Sequence, residues 1–265
     1  MKASVFDQEG KAVDSVELPG VFQTPVNERL INRAFWIVFT HKLQRKGTNP
    51  VAGERTSAMS WNTGHGVSRV ARVKGEKNPR SGQAAGVGGV VKGRLTHPPR
   101  AEKVIYKLIN KKERLNALKS AIAATAHPDL VVSRGHAAMD LAGVPLVAED
   151  KLQDVAKASE LRAFFENAGL LKDIERASRR KTRAGKQSWR GRSRKNGKGP
   201  LLVVTDSKGL GRAAGGFPGV DVVKADDLSI IDLAPGGRAG RLTVWTKSAL
   251  DSVSKRFEEV IVDAA

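Results

Sequence analysis

Residues 201–223, LLVVTDSKGLGRAAGGFPGVDVV, decide the fold class. They run from a short apolar stretch at 201–205, through glycines and a helix-forming segment, to a second apolar stretch at 220–223. Short runs of this kind, bounded by turn residues, are typical of strands buried on both faces. Working outward, 130–132, 144–148 and 242–246 read as further buried strands, with helical stretches at 152–165 and after Thr246. Upstream, Thr24-Pro25 offers an N-cap and a proline at the first helical position. A stripe of Val26, Leu30, Ala34 and Val38 follows, and Gly47 is the expected stop. Asn110 with Glu113 resembles a capping box, with Leu115, Leu118 and Ile122 on one face behind it. Strands alternating with helices predict an α/β body built on a mostly parallel, helix-covered sheet.

The glycines of the opening stretch invite a chemical reading. Gly209-Leu210-Gly211-Arg212-Ala213-Ala214 nearly matches the dinucleotide fingerprint. Three residues, Asp206-Ser207-Lys208, separate it from the strand, however, and although Asp226 and Asp227 are available as the acidic follower, acids are common enough to make this a weak match. A turn and helix start account for these glycines and are the preferred reading. Gly86 to Lys92 lacks the Ser or Thr that a phosphate-binding P-loop places after its lysine. The histidines at 41, 65, 97, 127 and 136 show no metal-ligand spacing, and His136 is expected to be a local hydrogen-bonder. Ser133-Arg134-Gly135-His136 places Ser near His, but adjacency in sequence makes no catalytic triad. No enzyme activity, cofactor or metal is expected.

Composition narrows the partners. The 265 residues carry 46 Lys plus Arg against 27 Asp plus Glu, a net charge of +19. With no cysteine, disulfides, zinc ribbons, iron–sulfur clusters and thiol catalysis are excluded. The longest apolar run, AFWIVF at 34–39, is far short of the ~20 residues a membrane span needs. No signal peptide is visible in the first ten residues, which include Asp7 and Glu9. Charge is also segregated. Residues 41–103 hold 13 basic side chains against Glu54, Glu76 and Glu102, and residues 176–199 hold 11 against none. The two windows together carry +21, which leaves −2 on the other 178 residues. A near-neutral body with two cationic appendages points to a polyanion, nucleic acid first.

Both appendages read as loop. Residues 47–103 contain ten glycines, four prolines and no sustained helical or alternating pattern. Structureless segments beyond ~12–15 residues are uncommon in compact domains unless functional or disordered. With so few acids to neutralise it, this one is expected to order against phosphate, each arm of ~28 residues reaching at most ~90 Å. The organisation expected is a body at 1–46 plus 104–265, an extended basic loop at 47–103, and a basic segment at 176–199 within the body. Candidate RNA contacts in the loop are Arg55, Trp61, His65, Arg69, Arg72, Lys74, Arg80, Lys92, Arg94, His97 and Arg100. Those in the second segment are Arg179, Arg180, Lys181, Arg183, Lys186, Arg190, Arg192, Arg194 and Lys195, with Trp189 either stacking on a base or capping the domain. Arginine engages phosphate bidentately, and interspersed glycines let the backbone approach it. Near-alternate cations at Arg69, Arg72 and Lys74 suit a strand threaded between RNA helices better than a DNA major groove, which admits a helix or β-ribbon.

Several motifs, taken in order, resemble the L-four family of large-subunit ribosomal proteins in its archaeal form. They are Gly93-Arg94 with His97-Pro98-Pro99-Arg100-Ala101-Glu102-Lys103, then Ser120-Ala121-Ile122-Ala123-Ala124-Thr125-Ala126 and Val132-Ser133-Arg134-Gly135-His136. Near the C-terminus come Asp232-Leu233-Ala234-Pro235-Gly236-Gly237 and Gly240-Arg241-Leu242. The modest length fits the archaeal rather than the longer eukaryotic form. His65 stands where related loops often carry Arg, and Gln187 where Gly is frequent. The resemblance implies a cytoplasmic, non-enzymatic constituent of the large subunit. Its expected partners are large-subunit rRNA, neighbouring ribosomal proteins including another tunnel-lining protein, and the nascent polypeptide at the loop tip in the exit tunnel. The alternatives are an RNA-binding regulator and, on the Gly209 motif alone, a nucleotide- or NAD-dependent enzyme acting on RNA.

Overall fold

The computed structural model describes residues 1–61, 69–138, 141, 143–207 and 209–262. Ten strands are formed among the described residues: β1 (Lys2–Phe6), β2 (Ala12–Glu17), β3 (Ala58–Ser60), β4 (Ala71–Val73), β5 (Leu146–Ala148), β6 (Lys181–Thr182), β7 (Arg194–Lys195), β8 (Leu201–Val204), β9 (Asp221–Lys224) and β10 (Thr243–Thr246). The helices are α1 (Glu28–Thr40), α2 (Lys111–Ala124), α3 (Pro128–Ser133), α4 (Ala158–Asn167), α5 (Leu171–Ser178), α6 (Lys186–Trp189), α7 (Leu210–Ala214), α8 (Ile230–Leu233) and α9 (Lys247–Val262). None of the described helices is long and apolar enough to cross a membrane. The chain divides into two compact units, Met1–Phe39 with Leu108–Ala265, and Thr40–Lys107.

The first unit is built on a six-stranded sheet in the order β2-β1-β5-β10-β8-β9. Every neighbouring pair from β1 to β9 is parallel, and β2 adds an antiparallel edge to β1. Side chains alternate across the sheet, and both faces are covered. Val5, Val147, Leu201, Val203 and Trp245 point into one core with α1, α2 and α9. Phe6, Leu146, Leu202, Val204 and Val244 point into the other with α4 and α7. Trp245 is fully buried, edge-on to Phe22 at 5.5 Å between ring centroids, and its Nε1 donates to Thr243 Oγ1 at 3.0 Å. The expected mostly parallel α/β body is therefore present, with these helices packed on both faces of its sheet.

Local readings are corrected in five places. Residues 130–132 belong to helix α3, not to a strand: Pro128 sits in its first turn, Asp129 favours the helix N-terminus, and Gly135 at φ 97° follows its end. A run of three apolar residues cannot by itself distinguish strand from helix. Helix α1 starts at Glu28 rather than Pro25, because 20–23 forms a separate 3-10 turn that Thr24 ends, and Asn27 Oδ1 accepts the Leu30 amide. It ends at Thr40, well before Gly47. Asn110 occupies the N-cap of α2 without a side-chain cap, and Glu113 instead pairs with Arg33 at 3.2 Å. The stretch 152–165 is split between a 3-10 turn at 150–154 and α4. The β1–β2 hairpin was not expected, since β2 is almost wholly exposed and carries no apolar alternation to mark it.

Candidate nucleic-acid interface

In the unit Thr40–Lys107 the chain makes little core. Val73 and Ala85 are the buried hydrophobics among its described residues. Strands β3 and β4 pair antiparallel, Met59 opposite Arg72, and a third segment joins them as Val73 N donates to Gln83 O and Ala85 N to Ala71 O. The alternation turns Val73 inward and leaves Arg72 and Lys74 exposed. Three-residue strands are too short for that pattern to show in the sequence. The Arg72 guanidinium lies 5.4 Å from the centroid of the half-exposed Trp61 ring and donates to Gly82 O at 2.7 Å. Its charge is thus held beside an aromatic face rather than beside a carboxylate.

Further along, Arg80 donates to Val91 O at 3.3 Å, and Arg94 forms a loose 3.6 Å pair with Glu54. Gly53, at φ 82°, lets two chain segments cross: a Cβ there would lie 2.4 Å from Gly93 O. Among the described residues, Arg55, Arg69, Lys74, Lys92 and Arg100 are exposed and form no ion pair. His97 and Arg100 line a groove of about 940 Å³ with Pro98 and Val104. His65 and the rest of the segment 62–68 lie outside the described residues.

The second basic segment is a hairpin rather than a plain loop. Lys181 pairs with Lys195 and Thr182 with Arg194, while Arg183 N donates to Ser193 O at 2.7 Å. At its tip Gly185 (φ 68°) leads into the single turn of α6, and Trp189 is 82% exposed. That exposure removes the domain-capping reading of Trp189. Arg179, Arg180, Lys181, Lys186, Arg190, Arg192, Arg194 and Lys195 are exposed, Arg183 half-buried, and none pairs with a carboxylate among the described residues.

The base of this hairpin is fixed by a buried network that the sequence did not announce. Arg176 donates from Nε to Asp173 Oδ1 at 2.8 Å and from Nη2 to Lys198 O at 2.6 Å, joining the two ends of the segment. His136 Nδ1 donates to Asp173 Oδ2 at 3.0 Å, so its partner lies far along the chain and not locally. Burial opposes ionisation of Asp173, but the bonds from His136 and Arg176 outweigh it and hold the carboxyl at about 2. Burial pushes His136 down, against the pull of Asp173, which keeps the imidazole neutral near pH 7.

Arg134 and Arg241 explain two of the family-like motifs. Arg134 donates to the carbonyls of Arg238, Ala239 (3.4 Å) and Pro235 (2.7 Å), so the 132–136 motif docks on the 232–237 motif. Gly240, at φ 81°, allows the approach: a Cβ there would be 2.6 Å from Leu130 O. Arg241, 1% exposed, donates to Gly199 O, Asp232 O and Gly219 O and pairs with Asp221 at 2.6 Å. These motif arginines therefore hold the body together.

The preferred reading of Gly209 is also met, since it is the N-cap of the five-residue α7. Parallel α/β folds bind ligands at the carboxyl ends of their strands. Here that end is occupied by the chain itself. Asp150 Oδ1 accepts the amide and hydroxyl of Ser248 in the first turn of α9, and Gln153 bonds Thr246, Ser248 and the Asp206 amide. Among the described residues no group of three His, Asp or Glu could hold a metal.

Fold and charge together define a strongly basic α/β protein whose exposed cations concentrate in two stretches. The chain belongs to the Ribosomal protein L4/L1 family, whose model matches residues 16–256. It is 47% identical over 260 residues to large ribosomal subunit protein uL4 of Methanopyrus kandleri, covering 98% of this chain and all of the relative. The protein of the same name from Methanocaldococcus jannaschii is 47% identical over 259 residues, 97% of this chain and all of the relative. That of Sulfurisphaera tokodaii is 42% identical over 259 residues, 97% of this chain and 95% of the relative. The archaeal resemblance read from the motifs holds, and a member of this ribosomal-protein family is not an enzyme.

Proposed function

We propose that the protein is a structural constituent of the cytoplasmic large ribosomal subunit that binds large-subunit rRNA through two cationic regions. Residues 47–103 act as an extended loop whose tip, around Trp61, helps line the nascent-polypeptide exit tunnel beside another tunnel-lining protein. The hairpin at 179–195 forms the second contact, with neighbouring ribosomal proteins against the body. The observation that carries this reading is the separation of charges. The buried body arginines Arg134 and Arg241 are consumed by carbonyls and a carboxylate, whereas the cations concentrated in the two regions are mostly exposed and unpaired. Unpaired Lys and Arg that neutralise Z phosphates release counterions and give a log–log salt slope of about −0.7Z to −0.9Z. Binding of large-subunit rRNA measured across salt concentrations tests it. A steep slope is expected, flattened when Arg179, Arg180, Arg190, Arg192 and Arg194 are changed to Gln; a flat wild-type slope contradicts the proposal.

A further inference from the structure

Four arginines outside both cationic regions surround one cavity on the body. The cavity, about 580 Å³, lies between α1, α3 and the turn at 237–239, and Arg29, Arg33, Arg134 and Arg238 line it. Glu28 is the one acid in its lining, while Arg33 also reaches Glu113 at 3.2 Å. The lining therefore sums to +3, against −5 for the rest of the sequence outside the two basic windows. On a body otherwise short of positive charge, such a local concentration is conspicuous.

Its frame is rigid. Asn32 Nδ2 donates to Gly237 O at 3.3 Å, tying α1 to the turn, and Arg134 ties α3 to the same turn through three carbonyls. Gly237 has φ 78°, and a Cβ there would stand 2.9 Å from Asn32 Nδ2, so a side chain would strain the turn and displace the Asn32 amide. Burial, and then the neighbouring Arg241, Arg176 and Arg238, lower the Arg134 guanidinium to about 10. Around this frame Arg29, Arg33 and Arg238 are exposed and able to turn toward a ligand.

We infer that this cavity is a third RNA contact, a seat for backbone phosphates of large-subunit rRNA held by Arg29, Arg33 and Arg238 over the floor formed by Arg134. The inference rests on the ribosomal reading above and adds a site on the body to it. Guanidinium forks match phosphate oxygens, and four of the ten lining residues are arginines against two apolar side chains, Leu130 and Ala239, which favours an anionic occupant.

The test compares the full-length protein with two double variants in rRNA binding across salt. Arg29→Gln with Arg238→Gln removes two exposed cations of the cavity, and Lys151→Gln with Lys157→Gln removes two exposed cations elsewhere on the body. The slope should fall by about 1.4 to 1.8 in the first variant, two phosphates at about 0.7–0.9 each, and stay at the wild-type value in the second. An unchanged slope in the first variant, with a steep wild-type slope, overturns the cavity site and leaves the ribosomal reading standing. So does an equal fall in both variants, which would report net charge alone. A flat wild-type slope overturns both. If the first variant keeps its RNA slope but loses a purified neighbouring ribosomal protein, the cavity belongs to a protein partner and the phosphate assignment is wrong.

Discussion

The sheet core and the two cationic regions put the same side-chain types to opposite ends. In the sheet-bearing unit Trp245, Phe22 and Phe165 are buried, while in the unit 40–107 Trp61, Met59, Val91 and Tyr106 stay exposed. Arginine shows the same division. Arg241 is surrounded by carbonyls and Asp221, whereas Arg55 and Arg69 face solvent with no carboxylate partner among the described residues. A chain that needs both stability and a polyanion-binding surface can thus keep them in separate stretches. Burial supplies folding free energy at roughly 25 cal/mol per Å² in one, and unpaired charge supplies affinity in the other.

If that division is right, equivalent substitutions in the two units should behave unlike each other. The largest contrast is expected between tryptophans. Trp245→Ala should cost about 3–5 kcal/mol in urea unfolding, whereas Trp61→Ala should change stability by less than about 0.5 kcal/mol. Arginines come next. Arg241→Met strips the carbonyls of Gly199, Asp232 and Gly219 of their donor, while Asp221 keeps Lys198, and should destabilise by about 2–4 kcal/mol; Arg69→Met should be silent in the same titration and appear only in RNA binding.

The buried network beneath the second hairpin should register in pH. His136, lowered by burial, disfavours the folded state once the unfolded imidazole begins to protonate below about 6.5. Asp173, held at about 2 in the folded state, contributes stability that is complete above 3.8 and lost as pH falls toward 2, about 2 kcal/mol in all. Asp173→Asn should remove its own share of about 2 kcal/mol from the acid limb measured by urea titration between pH 5 and 2, leaving the share of Asp221, whose carboxyl, against burial, is held low by Lys198 and Arg241. A full acid limb in that variant would assign the effect to other carboxylates. A small change is expected even from the boldest alteration. Replacing residues 47–93 by a short flexible linker should shift body stability by less than about 1 kcal/mol, because loop-length costs grow slowly. RNA binding by that protein should persist with a shallower salt slope.

What could be read from sequence follows the same boundary. Strands β5, β8 and β10 are buried on both faces, so their continuous apolar runs identified them within one or two residues. Strand β2 is exposed along most of its length, and nothing in its composition distinguished it from loop. Helix α3 is too short for a 3.6-residue period to separate it from a strand. The cationic regions were legible because net charge needs no fold to be counted. The hairpins within them were not, since β3, β4, β6 and β7 are two or three residues long. Least legible were Arg134 and the Asp173–Arg176 network, whose partners include residues up to 105 positions away, at Ala239, and 37 away, at His136. No local pattern carries such pairings.

The separation of folding from binding is tested most directly by mapping protein–RNA crosslinks residue by residue in assembled large subunits. Crosslinks should concentrate at Trp61, Arg69 and Arg72 in the unit Thr40–Lys107 and along 179–195 around Trp189 in the sheet-bearing unit, with few elsewhere except at Arg29 and Arg238. Crosslinks distributed evenly over the exposed residues of β2, α4 and α9, with the two cationic regions left bare, would contradict it.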